Sequence, residues 1–140
     1  MTFKAGQFVS FEVPKVGQPR PVTRPYSIAS PPGQRDRILL VLNLVQGGPG
    51  SSYLFGLQDG SRTSLKGPAG AFYLRDVGAR DLLFVATGTG IAPLRSMILA
   101  QLEGEQSRSV TLFWGLRSQR DLYWPVSFTH LRAQGTALVL

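Results

Sequence analysis

The stretch Asp81-Leu82-Leu83-Phe84-Val85-Ala86-Thr87-Gly88-Thr89-Gly90-Ile91-Ala92-Pro93-Leu94-Arg95-Ser96 decides the architecture. Leu82–Ala86 is an uninterrupted apolar run of strand length, Thr87–Pro93 is a loop, and Leu94–Leu102 has the spacing of an amphipathic helix. A buried strand that runs through glycines straight into a helix is the opening unit of a parallel sheet with helical crossovers. At such a turn, unpaired backbone N–H groups and the helix dipole attract phosphate. Pro93 suits the first helical turn, where its missing N–H costs nothing. Many α/β proteins use glycine at this place only for tight packing, so the loop alone leaves both uses open.

Toward the C-terminus the alternation continues. Val110–Trp114 is a second apolar strand, Asp121–Ala133 is broken by Pro125 but helical in its later part, and Thr136–Leu140 is a third strand. Residues 82–140 therefore read as βαβαβ, half of a doubly wound domain with a parallel sheet covered on both faces. Thr136–Leu140 is apolar and is expected to form an exposed edge available for association.

Toward the N-terminus the pattern is β with tight corners. Gln7–Val13 alternates as a strand, Pro14, Gly17, Pro19 and Pro21 enforce an irregular connection, and Arg24–Ala29 is a second extended run. Pro31-Pro32-Gly33 ends it, Arg37–Val45 is a long β-type run, and Gly47-Gly48-Pro49-Gly50 closes that. A short helix is expected next, with Ser51 or Ser52 as N-cap before Tyr53, Leu54 and Leu57. Asp59-Gly60 is a turn, Thr63–Lys66 a short strand, and Gly67-Pro68-Ala69-Gly70 a second glycine-rich loop. The expected seam is Asp76–Arg80, dividing a β domain at 1–78 from an α/β domain at 79–140.

Composition narrows the function. With 140 residues and 43% apolar content the chain can build a core. It contains no cysteine, which removes disulfides, thiolate zinc sites and protein-ligated iron–sulfur clusters from this stretch, so redox chemistry must be borrowed from a cofactor. The single histidine, His130, makes no metal site by itself and has the setting of a surface or packing residue. No run approaches the roughly 18 apolar residues that span a bilayer, and the first residues lack a signal-peptide layout, so a cytoplasmic protein is expected. The net charge of +7 is uneven, with ten Lys/Arg against four Asp/Glu in residues 1–80. Such a field favours cofactor phosphates or an acidic partner. Nucleic acid is not expected, because no helix collects the cations on one face.

Three other pieces carry chemistry. Arg24-Pro25-Tyr26-Ser27 presents a cation, an aromatic face and a hydroxyl on one strand, which suits a ligand with a diphosphate and a flat heteroaromatic ring. Gly48-Pro49-Gly50-Ser51-Ser52 lets the backbone approach a ligand, with hydroxyls at a helix start. Each piece also has an ordinary structural use. Phe3, Phe8, Phe11, Phe84 and Phe113 fall where strands bury side chains, and Trp114 and Trp124 are better explained by packing than by contact with a nucleotide.

The order of the pieces is more specific than any one of them. Arg24-Pro25-Tyr26-Ser27, Gly48 to Ser51 spaced as G-x-x-S, Gly67-Pro68-Ala69-Gly70-Ala71-Phe72 and Gly88 to Pro93 together resemble the ferredoxin–NADP reductase superfamily. Ala5-Gly6-Gln7-Phe8-Val9 and Phe113-Trp114-Gly115-Leu116-Arg117, followed by Asp121-Leu122, extend the resemblance over nearly the whole chain. Ser61 departs from it, since family members often carry an acidic residue there.

The resemblance implies an antiparallel Greek-key flavin-binding barrel followed by a partial doubly wound nucleotide-binding domain. A family strand before Gln7 and several elements beyond Leu140 are expected to lie outside this sequence. The activity implied is hydride transfer from NAD(P)H to FAD, with electrons passed on to a redox partner such as an iron–sulfur protein, a haem protein or an oxygenase component. An acidic electron-transfer protein would suit the basic half; the alternative is a binding subunit or fragment that another chain must complete. The implied catalytic residues are Tyr26, Ser27 and Thr89. Arg24 is implied to neutralise flavin phosphate, Tyr26 to lie against the flavin ring beside Pro25, and Ser27 to approach flavin N5. Gly48, Gly50, Ser51 and Ser52 are implied to hold the pyrophosphate, which favours FAD over FMN. Gly88, Thr89, Gly90 and Pro93 would receive the dinucleotide, with Gly115 and Arg117 bordering it. The electron acceptor and the choice between NADH and NADPH stay open.

Overall fold

A computed structural model of the chain describes residues 1–14, 17, 19–75, 78, 80–104, 108–122 and 136–139. The first sheet forms where the sequence alternates. Strand β1 (Phe8–Val13) turns Val9, Phe11 and Val13 inward, 0–4% exposed, and sends Ser10 and Glu12 outward. β2 (Val22–Ser27) pairs antiparallel with β1 from Phe8↔Ser27 to Val13↔Val22, and β3 (Leu65–Ala69) pairs on the other side, so the order is β2-β1-β3. Phe3 and Ile28 complete the core of this half, and Tyr26, Leu40, Tyr53 and Leu54 pack against it.

Three expectations for this half are corrected. Arg37–Val45 is not a strand but an extended segment with one isolated bridge, Ile28↔Leu40. The hydroxyl of Ser30 takes the N–H of Leu39 at 3.1 Å, which diverts a donor that a ladder would use. Gly67-Pro68-Ala69 lies inside β3, with a cis Gly67–Pro68 bond, rather than in a loop. Helix α1 spans Pro49–Phe55 with Gly48 as its N-cap, so Ser51 and Ser52 fall inside the helix. Proline supplies the starting φ angle, which puts the first helical residue three positions earlier than a Ser51 cap would.

The second half begins with β4 (Leu82–Thr87), passes through a 3₁₀ turn at Gly88–Gly90, and enters helix α2 (Ile91–Leu102). The helix starts three residues earlier than the spacing predicts, with Pro93 in its first turn. Strands β5 (Val110–Gly115) and β6 (Thr136–Val139) follow, both parallel, in the order β4-β5-β6. Ile91, Leu94, Met97 and Ile98 of α2 pack on Phe84, Ala86, Leu112 and Trp114. Each of these four helix side chains contributes about 1.5–3 kcal/mol by leaving water.

Among the described residues the opposite face of this sheet is not covered. Leu83, Val85 and Phe113 are 65%, 69% and 43% exposed, against the expectation of burial for Phe113 and of helices on both faces. Alternate side chains of a strand point to opposite faces, and α2 covers only one. Phe3, Phe11 and Phe84 are buried as expected. The later helix of Asp121–Ala133, with Trp124 and His130, and also Leu140 and seam residues 76, 77 and 79, lie outside the described residues. Among the described residues no helix is long and apolar enough to cross a membrane.

The two halves meet through buried contacts. Gly6, at φ +102°, leaves room for the Phe72 carbonyl and the end of Met97. Ser96 Oγ donates to the Ser30 carbonyl at 2.7 Å, and Arg95 Nη1 donates to the Ala29 carbonyl at 2.8 Å. Burial pushes the Arg95 pKa below its ordinary value.

Candidate cofactor clefts

β2 is an edge strand, so its outer margin stays open, and an edge tolerates Pro25, which has no N–H to give a ladder. Arg24, Pro25, Tyr26 and Ser27 form one wall of a cleft of about 610 Å³. Its other walls are Val41, Leu42, Asn43 and Val45 from the extended segment, Gly48, Pro49, Gly50 and Ser51 from the start of α1, and Thr89, Gly90, Ala92 and Pro93 from the second half.

The ring of Tyr26 is held from below by Phe11, edge to face with centroids 6.0 Å apart. Burial raises its pKa above the ordinary 10.0, and the nearby Arg24 charge offsets part of this, so the phenol is neutral at physiological pH. Gly50 explains how Arg24 and Tyr26 sit so close to α1. A Cβ at Gly50 would lie 2.5 Å from the Tyr26 hydroxyl and 2.8 Å from Arg24 Cγ.

Ser51 has a structural task in addition to its place in the cleft wall. Its hydroxyl accepts from the Val45 N–H at 3.0 Å and has the Val45 and Gly48 carbonyls at 3.3 and 3.4 Å. It thereby closes the turn in which Gly47 adopts φ +72°. Ser52 is exposed and lines neither this cleft nor the next.

A second cleft, of about 950 Å³, opens at the C-terminal ends of β4 and β5 and is lined by Asn43, Thr87, Gly88, Thr89, Gly115, Leu116, Arg117, Arg120 and Asp121. This is the place where open parallel sheets bind ligands. Gly88 takes φ +49°, a left-handed conformation that glycine adopts freely, and Trp114 Nε1 donates to its carbonyl at 3.0 Å. Trp114 is therefore a core residue, as expected, and also the pin that holds the turn. Arg117 is 93% exposed, with Nε 4.0 Å from Asp121 Oδ2, so its charge is free to face an anion.

The glycine-rich turn is shared between the clefts. Gly88 lines the second, Gly90 and Pro93 the first, and Thr89 both. Asn43 also lines both, and together with Arg120 it was missed by sequence reasoning. Its signal was a lone amide within the apolar run Leu39-Leu40-Val41-Leu42-Asn43-Leu44-Val45.

The family model described as the oxidoreductase FAD-binding domain matches residues 1–73, and that of the oxidoreductase NAD-binding domain matches residues 84–138. The chain belongs to the ferredoxin–NADP reductase superfamily. Among its relatives in the superfamily is the reductase component DmpP of phenol 2-monooxygenase from Pseudomonas sp. strain CF600, 38% identical over 96% of this chain and 37% of that protein. Ferredoxin–NADP reductase B of Sorangium cellulosum is 42% identical over 87% of this chain and 49% of its own length. The crystal structure of the Amycolatopsis cytochrome P450 reductase GcoB aligns with a TM-score of 0.85 and 31% identity, covering 99% of this chain and 43% of that one. The chain thus spans less than half the length of these superfamily members.

The residues present fit a flavin and a dinucleotide. The first cleft joins an arginine, a supported tyrosine ring and an α1 start kept free of side chains at Gly50. The second places a pinned glycine turn opposite Arg117 and Arg120.

Proposed function

We propose that the chain binds FAD in the first cleft and NAD(P)H in the second, and that it transfers a hydride between them within the cytoplasm, where the reduced dinucleotide is supplied. One observation carries this reading: the two clefts meet, with Thr89 and Asn43 lining both. When bound, the flavin accepts hydride from the dinucleotide and gives electrons up to an acceptor. The protein supplies orientation and shielding.

In this reading Arg24 neutralises flavin phosphate, while Tyr26, with Pro25 beside it, supports the ring. Ser27, at the end of β2, offers its hydroxyl to the reacting nitrogen. Gly48, Gly50 and Ser51 face the pyrophosphate through their backbone. Gly88, Thr89 and Gly90 receive the dinucleotide, Thr89 at the junction, and Gly115 and Arg117 border it. Ser52 has the weakest case, because it lies outside both clefts. We place the boundary between the FAD-binding and NAD(P)-binding domains at residues 78 and 79.

The relatives named for a phenol 2-monooxygenase and a cytochrome P450 support an oxygenase component or other acidic electron-transfer protein as acceptor. The basic first half suits such a partner. A second reading, that another polypeptide must complete the site, is favoured by the exposed Leu83, Val85 and Phe113 on β4 and β5.

The test is to load the purified chain with FAD, remove the excess by gel filtration, and add NADH or NADPH without oxygen. Retained flavin that bleaches is the expected result. Retained flavin that does not bleach would favour the second reading, and failure to retain flavin would overturn the first.

A further inference from the structure

Ala29 and Ser30 follow β2 one residue after its end, beyond Ile28, and both are fully buried. Their polar atoms tie together elements that are distant in sequence. The Ala29 N–H donates to the Leu39 carbonyl at 2.8 Å, and Ser30 Oγ accepts from the Leu39 N–H at 3.1 Å, which fastens the extended segment. The Ala29 and Ser30 carbonyls accept from Arg95 Nη1 and Ser96 Oγ at 2.8 and 2.7 Å, which fastens α2. Ser96 is itself 0% exposed.

Each of these three elements runs straight from the node into a wall of the first cleft. β2 brings Tyr26 and Ser27, the extended segment brings Asn43, and the start of α2 brings Gly90 and Pro93. A buried carbonyl or hydroxyl without a partner is costly, so a different docking of the halves would strand several such groups at once. A purely apolar seam could slide by small amounts, whereas this one is fixed by four directional hydrogen bonds that a slide would stretch together.

We propose that the Ala29-Ser30 node is the alignment device of the molecule, and that Arg95 and Ser96 are positioning residues that hold the flavin-facing strand in fixed relation to the glycine turn. Its consequence for catalysis rests on the reading in the preceding section. Its structural content does not.

The test uses the full chain, isotopically labelled, with residual dipolar couplings recorded for β1–β3 and for β4, β5 and α2. In the parent protein one alignment should describe both halves. In Ser96→Ala, and more strongly in Ser96→Ala combined with Arg95→Met, two separate alignments should be needed, and Ser96→Thr should restore one. A single alignment in every variant, or a threonine variant no better than alanine, would overturn the proposal. In FAD-loaded protein, Ser96→Ala should keep its flavin affinity but slow flavin reduction at saturating NAD(P)H by roughly ten- to a hundred-fold. Reduction at the parent rate would count against alignment. If the parent chain binds no flavin, the proposed function fails, while the couplings still decide the node.

Discussion

At the scale of single residues the first cleft depends on Arg24, Tyr26 and the absence of a side chain at Gly50. Arg24→Ala should weaken FAD binding by roughly 1.5–3 kcal/mol, the worth of a charged hydrogen bond, as measured by flavin titration. Gly50→Ala should weaken it by about 1–3 kcal/mol although it removes no contact, because the new methyl group displaces the Tyr26 hydroxyl and Arg24. Unchanged FAD affinity in both would place the flavin elsewhere. Tyr26 also makes a pH prediction. Its folded pKa is raised by burial above 10.0, so folding favours the protonated phenol. Stability from this source is present below the unfolded pKa and is lost as pH rises through the folded one. Ultraviolet titration of the protein against Tyr26→Phe should therefore show one phenol ionising above the ordinary range. Arg24, Tyr26 and Ser27 were legible in the sequence because their chemistry is local to one strand. The hydroxyl of Ser51 was not, because its partners at Val45 and Gly48 become neighbours only when the turn closes.

At the scale of elements, the glycine turn between β4 and α2 takes its shape from β5. Trp114 belongs to β5, and its indole N–H fixes the Gly88 carbonyl. Trp114→Phe keeps most of the buried ring and removes the indole donor, while the Ile91 N–H still reaches the Gly88 carbonyl, so the loss is about 0.5–1.5 kcal/mol. The expected outcome is weaker NAD(P)H binding with FAD affinity preserved, read by separate titrations; equal loss of both would mean general unfolding. The strand–turn–helix order was legible because an apolar run, two glycines and a proline are local signals. The extended segment at 37–45 was misread as a strand, since its leucines and valines satisfy a β pattern. Whether such a run joins a ladder depends on a neighbour with open hydrogen bonds, and Ser30 had already taken the Leu39 N–H.

At the scale of the whole molecule, the proposed hydride transfer requires two halves to meet at one place. Gly6 sits at that seam, where a side chain would collide with the Phe72 carbonyl and Met97, and its φ of +102° disfavours any other residue. Gly6→Ala should destabilise the chain by roughly 2–4 kcal/mol in chemical denaturation, a large effect for one methyl group. A variant of parent stability would mean that the seam is looser than its geometry. The antiparallel β half, the βα turn, the cofactor class and most of the cleft residues followed from the sequence alone, because strand alternation, glycine turns and motif order are written in neighbouring positions. Tertiary structure alone decided that Asn43 and Thr89 stand where two clefts join, that Ser52 stands outside them, and that one face of the second sheet keeps Leu83, Val85 and Phe113 exposed. Those outcomes depend on contacts between residues far apart in the chain, which local propensity does not encode.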